Sequence, residues 1–181
     1  MSRASGTAAY RCPVFDRIKG NARAAELLAT VFDFDLDRTE HVEPVWPSWD
    51  GELRPVAGDA AGGTFYVCGG PVLYASSEGA AGVLAADPTA ALQLVIGVPT
   101  WHDVVTRVPD LDAMRATFES TLPEFLSYEP DLDRRQAEVS AELGLDRVPV
   151  DELLVRLRSS VTDLSPRFRL LNEEGDEYDP L

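Results

Sequence analysis

Few residues of this chain combine the type and the spacing that chemistry needs. Nucleophilic catalysis requires a nucleophile, a base and usually a third group that orients the base. Cys68, His102 and Asp103 form the Cys-His-Asp set that meets this requirement by type. His102 and Asp103 are sequence neighbours, so Asp103 is poorly placed to orient His102 while both face Cys68. Cys68 lies in the run TFYVC, where a thiol serves more simply as a small buried apolar filler.

The remaining titratable groups give weaker patterns. His41-Val42-Glu43 would put a histidine and a glutamate on one face of a strand. Two histidines and two cysteines so far apart do not form a zinc-ligand pattern, and no metal is expected. The glycines of AGDAAGG lack the Lys-Ser/Thr pair of a phosphate loop and precede a strand instead of a helix, so they read as a plain turn and no cofactor is expected. Acid pairs such as Glu173-Glu174 read as solvated surface. Trp46 and Trp49 lie in a Pro-rich, acid-flanked loop. They are either interface anchors or rigid plugs over one edge of the core.

Composition narrows the function classes. The 181 residues carry 31 acidic against 16 basic side chains, a formal net charge of -15. Nucleic-acid binding needs a cationic footprint, and anionic membranes attract basic surfaces, so both are disfavoured. A basic protein partner would be attracted by such a field. With 45% hydrophobic and 26% charged residues the chain reads as globular. The apolar runs are too short for a bilayer, the first residues (MSRASG) show no secretory pattern, and two cysteines make no disulfide framework. A cytoplasmic protein is expected.

The elements that must position these groups follow from periodicity and punctuation. Residues 1–12 are expected to form a flexible arm, 13–171 one domain and 172–181 a mobile tail with five acidic residues. A first helix is expected from an Asn21 cap to Phe32. Residues 33–37 alternate, as an edge strand or a loop. Pro44, Pro47 and Pro55 exclude a long helix from 43–63. Three strands follow (64–68, 72–76 and 82–85), joined by Gly-containing turns as an antiparallel meander. Asp87-Pro88 opens a helix that Gly97 and Pro99 end. Helical stretches are expected over 100–107, 111–125 with a kink or stop at Pro123, 132–143 and 150–161. The fold class is therefore α+β, an antiparallel sheet packed by helices with a helical C-terminal half.

Residues 57–103 resemble the SMI1/KNR4-like, or SUKH, superfamily. The resemblance rests on Gly58-Asp59 and Gly62-Gly63 in an acidic Gly-rich loop, on PVLYASSEG (71–79), on the strand and acid-capped helix of 83–96, and on Pro99, Trp101 and Asp103 in a P-x-W-x-D segment. It covers about a quarter of the chain. It implies an α+β fold without a shared catalytic set, and many bacterial members look like immunity proteins that neutralise toxins, often nucleases. The resulting expectation is a non-catalytic, protein-binding domain, an immunity protein for a basic toxin. Trp46, Trp49, Asp50, Glu52, Asp59 and Glu78 are its candidate contacts. The alternatives are a regulatory or scaffold domain, or a small enzyme using Cys68 and His102.

Overall fold

A computed structural model describes residues 12–181 of the chain. The expected arm falls outside the described residues except for Cys12, which is buried and stands before α1 (Pro13–Lys19). That helix was not foreseen, because seven residues are too few for a periodic signal. Helix α2 (Ala22–Val31) begins where the sequence places it, with the Asn21 side chain accepting from the Ala24 N–H.

The segment after α2 passes through Asp33, whose φ of 51° is left-handed, and buries Phe34. It touches the sheet by one antiparallel bridge, Asp35 to Gly58. The Trp- and Pro-rich stretch is more ordered than its composition suggests. It holds β1 (Trp46–Pro47) and a full strand, β2 (Arg54–Gly58), which the reading of 43–63 did not include. Pro55 is tolerated because β2 is an edge strand, and the register shifts between Pro55 and Ala57.

Strands β3 (Thr64–Val67), β4 (Val72–Ala75) and β5 (Ala80–Ala85) complete the expected antiparallel meander. The sheet order is β2-β3-β4-β5-β7, where β7 (Asp179–Pro180) pairs parallel to β5 through Ala80↔Asp179 and Ala81↔Pro180. Residues 172–181 are therefore docked, which corrects the expectation of a mobile tail. Asn172 Oδ1 accepts from the N–H groups of Glu174 and Asp176, and Tyr178 is buried. The apolar Tyr178 and Leu181 outweigh the five acids around them.

Both faces of the sheet are covered. Phe65, Val67, Val72, Tyr74 and Leu84 join the main core with the helices. Tyr66, Cys68, Leu73 and Val83 point the other way and pack with Leu170 and Tyr178, with Trp49 and Phe168 beside them. Strand residues alternate between the two cores, as a pleated sheet demands. Leu170 lies on β6 (Leu170–Leu171), which pairs with β1.

Helix α3 (Pro88–Gly97) starts on the Asp87 cap and its apolar residues are buried. After α4 (Trp101–Val105) come α5 (Leu111–Tyr128), α6 (Leu132–Leu143) and α7 (Val150–Ser159), the expected helical half. Helix α5 runs through Pro123 instead of ending there. Pro123 and Glu119 are exposed, so water can satisfy the carbonyl that loses its helical partner. Gly144 closes α6 in the left-handed conformation, φ 62°. No helix among the described residues is long and apolar enough to cross a membrane.

Candidate functional site

The AGDAAGG turn between β2 and β3 closes around Asp59. Its N–H donates to the Gly63 carbonyl at 3.1 Å, and the Gly63 N–H donates to Asp59 Oδ1 at 2.8 Å. Gly62 adopts φ 90°, which glycine reaches without strain. The turn thus folds its own carboxylate inward, and Asp59 is 2% exposed.

Two side chains from later elements meet the second carboxylate oxygen. Tyr74 on β4 donates its hydroxyl to Asp59 Oδ2 at 2.5 Å. His102, the second residue of α4, places Nε2 at 3.1 Å from the same oxygen. Burial alone would raise the Asp59 pKa. The hydrogen bonds from His102, Tyr74 and Gly63 outweigh it and hold the carboxyl at about 2, below its ordinary 3.8. The Tyr74 hydroxyl is driven the opposite way, upward, by burial and by its bond to Asp59.

An ionised carboxylate only accepts hydrogen bonds. Nε2 of His102 is therefore the protonated nitrogen of the neutral ring, and Nδ1 carries the lone pair. Nδ1 has no hydrogen-bond partner among the described residues, and the side chain is 37% exposed. The ring is fixed on both sides: it stacks on the buried Trp101 at 3.6 Å between centroids and meets Tyr74 edge-on at 5.4 Å. A carboxylate that orients an imidazole and stabilises its protonated form, with the other nitrogen free, is the arrangement of a general base.

His102 opens into a cavity of about 600 Å³ that also takes in Asp33, Ser76, Ser77, Glu78 and Thr106. None of these hydroxyls is bonded to the imidazole. Ser77 donates to the Ala61 carbonyl, Thr106 donates to the Asp103 carbonyl, and Ser76 Oγ accepts from the Ala80 N–H. The imidazole is thus free to act on a hydroxyl, an amine or a water brought by the ligand. A second cavity, of about 590 Å³, lies where α3 and α7 meet β5. Its walls are mainly aliphatic, including Leu84, Leu94, Leu153 and Leu157, and it holds no histidine.

The sequence-derived sets divide differently from expectation. Cys68 and His102 do not meet. Cys68 packs on the opposite face of the sheet, its thiol is directed at the Pro71 carbonyl, and burial pushes its pKa up to about 11. Asp103 is exposed and does not orient His102; Asp59, 43 residues earlier, does. Asp59 itself is buried and cannot be a surface contact. Glu78 is exposed at the β4–β5 turn and lines the His102 cavity. Trp49, Asp50 and Glu52 lie around a separate hollow of about 230 Å³ beside Arg54 and Cys68. Trp49 packs edge-on against Phe168 at 5.2 Å and is half-buried, whereas Trp46 is 57% exposed on β1. Of the sequence-derived contacts, then, only Glu78 belongs to the His102 cavity. Asp33, Tyr74 and Gly63 were missed, because nothing in their local spacing ties them to His102.

His41 builds a second polar cluster. Its Nδ1 lies 3.0 Å from Thr64 Oγ1, and the Tyr178 hydroxyl donates to Glu43 Oε1 at 2.5 Å and lies 3.5 Å from His41 Nε2. Burial lowers the His41 pKa. This cluster pins residues 177–181 to the loop before β1. Among the described residues, no group of three or more histidine, cysteine or acidic side chains is arranged to hold a metal ion.

No family model and no solved structure matches the chain. Curated relatives are similar over a part of it. The protein nucleotidyltransferase YdiU of Pseudomonas paraeruginosa (strain DSM 24068 / PA7) is 34% identical over 73 residues, 40% of this chain. The proteins of that name from Pseudomonas aeruginosa strains LESB58 and UCBPP-PA14 match to the same extent. The chain spans about 15% of the length of these relatives. Their naming as enzymes overturns the expectation of a non-catalytic binding domain and, with it, the immunity-protein reading.

Proposed function

We propose that this chain is a catalytic domain, or a piece of one, in which His102 is the general base for transfer of a group to a hydroxyl or amine acceptor. The carrying observation is the His102–Asp59 pair: an imidazole fixed through Nε2 to an ionised, buried carboxylate, with Nδ1 free at a cavity. The acceptor's proton passes to Nδ1 as its oxygen or nitrogen attacks the donor. The bond to the donor's leaving group (pyrophosphate from a nucleoside triphosphate) breaks and that group departs with the electron pair, and Asp59 stabilises the imidazolium so formed. Tyr74 and Gly63 hold Asp59 in place. The relatives' name makes nucleotidyl transfer the first reaction to test. The domain works in the cytoplasm, where its two buried thiols stay reduced. For its lineage the SUKH superfamily is proposed, supported by the order of elements from β3 to α4.

The test is transfer of label from α-phosphate-labelled nucleoside triphosphates, with a divalent cation, to protein and small hydroxyl or amine acceptors. His102→Asn, at a partly exposed position, should fold normally and lower transfer by about 100-fold or more. Wild-type labelling no greater than that of His102→Asn with every nucleotide would refute the reading.

A further inference from the structure

The cavity beside His102 also carries a chemical bias. Its volume, about 600 Å³, falls within the range of small-molecule sites, about 300–1,000 Å³. Among the described residues its walls supply two carboxylates, Asp33 and Glu78, and no lysine or arginine. Arg38, whose charge reaches Asp33, is bonded to other acceptors: Nε to Asp35 Oδ2 at 3.2 Å and Nη1 to the Asp59 carbonyl at 3.3 Å. A phosphate in this cavity would face two carboxylates and, among the described residues, no lysine or arginine on the walls.

Asp33 is held rigidly. It follows α2 in a left-handed conformation, and its Oδ1 accepts from the Ala60 N–H at 2.8 Å, leaving Oδ2 without a protein partner among the described residues. Burial and the neighbouring Asp59 raise its pKa, a cost that a bound cation would relieve. The other walls join apolar groups, Val105, Trp101 and Leu181 among them, with the hydroxyls of Ser76, Ser77 and Thr106, each already bonded to backbone. A ligand that fits both parts has an apolar body and a positive end.

Building on the catalytic reading above, we propose that the acceptor held in this cavity is a small molecule with a protonated amine, which Asp33 and Glu78 bind while its hydroxyl or second amine faces His102. The body of an anionic donor, such as a nucleotide, then lies outside this cavity, and only its reacting group reaches the acceptor beside His102.

Calorimetric titration of the full chain with tyramine, p-cresol and 4-hydroxyphenylacetate tests this. The three share a phenol and differ in charge, positive, neutral and negative. Tyramine should bind best and 4-hydroxyphenylacetate worst. Asp33→Asn and Glu78→Gln should each weaken tyramine by about tenfold and leave p-cresol unchanged. Asn keeps the oxygen that Ala60 needs and tolerates the left-handed backbone, so Asp33→Asn should fold. The ligand class is overturned if the anion binds as well as the amine, or if neither carboxylate substitution weakens tyramine. Intact transfer with no charge preference would sink only this inference. Preferred amine binding without transfer would sink only the catalytic reading.

Discussion

Gly63 lies so close beneath Tyr74 that a β-carbon on it would collide with the Tyr74 hydroxyl. That hydroxyl is one of three donors to Asp59. The glycine is thus required by a side chain on the neighbouring strand, beyond any demand of its own turn. Gly63→Ala should push Tyr74 off Asp59 and destabilise the fold by about 1–3 kcal/mol. Tyr74→Phe removes the hydroxyl without the collision and should cost a similar amount, about 1–3 kcal/mol, through the lost bond to a buried charge. Urea midpoints read both. An unchanged midpoint for Gly63→Ala would contradict the packing described.

Asp59 links stability to acidity. Its carboxyl is held at about 2 in the fold and titrates near 3.8 when unperturbed. A depressed carboxyl pKa contributes stability above the unfolded value and loses it as the pH falls through the folded one. The contribution is about 2 kcal/mol and should disappear between about pH 4 and pH 2. Asp59→Asn should be less stable at neutral pH and should lack this part of the acid transition. Denaturation midpoints across the pH series would show it.

The second histidine acts in a higher pH window with the same sign. Burial lowers the His41 pKa from 6.5. A histidine that prefers to be neutral in the fold contributes stability above its unfolded value, which declines as the pH drops below it. Protection against hydrogen exchange in residues 177–181, taken relative to the intrinsic rate at each pH, should therefore fall below about pH 6.5, as protonation of His41 disturbs the contact with Tyr178. Tyr178→Phe should speed exchange there at neutral pH as well. Uniform protection down to pH 5 would exclude the coupling.

Cys68 should be chemically quiet. Burial pushes its thiol pKa up to about 11, and the side chain is almost fully covered. Iodoacetamide at neutral pH should modify the native chain far more slowly than the unfolded one. Cys68→Ser should leave any transfer activity intact, while His102→Asn should not.

Trp101 sets the height of His102. It is 1% exposed, stacks under the imidazole and meets Phe65 and Tyr74 edge-on. Trp101→Ala should cost about 3–5 kcal/mol through the cavity it leaves. Trp101→Phe should cost less. It should nonetheless lower activity through looser placement of the imidazole, visible as a broadened His102 ring resonance.

Local chemistry made much of the architecture legible. Asn21 and Asp87 announce their helices, Gly144 ends one, and the alternating β-formers with glycine turns give the meander. These are short-range effects of backbone hydrogen bonding and left-handed turns, which neighbouring residues largely determine. Strand β2 was hidden by its proline, and the docking of the C-terminal residues by their acids. In both, tertiary contacts override composition: an edge position for Pro55, and burial for Tyr178.

The candidate site belongs to the other category. The sequence supplied His102 and set it beside Asp103, the wrong acid. Only the fold brings the β2–β3 turn, strand β4 and the start of α4 to one point, where Asp59, Tyr74 and His102 meet. The residues are 15 and 43 positions from Asp59, and no spacing rule reaches across such loops. An aspartate in a Gly-rich turn looks like solvated surface until a sheet and a helix close over it. Burial then turns an ordinary turn acid into the fixed charge that aims an imidazole.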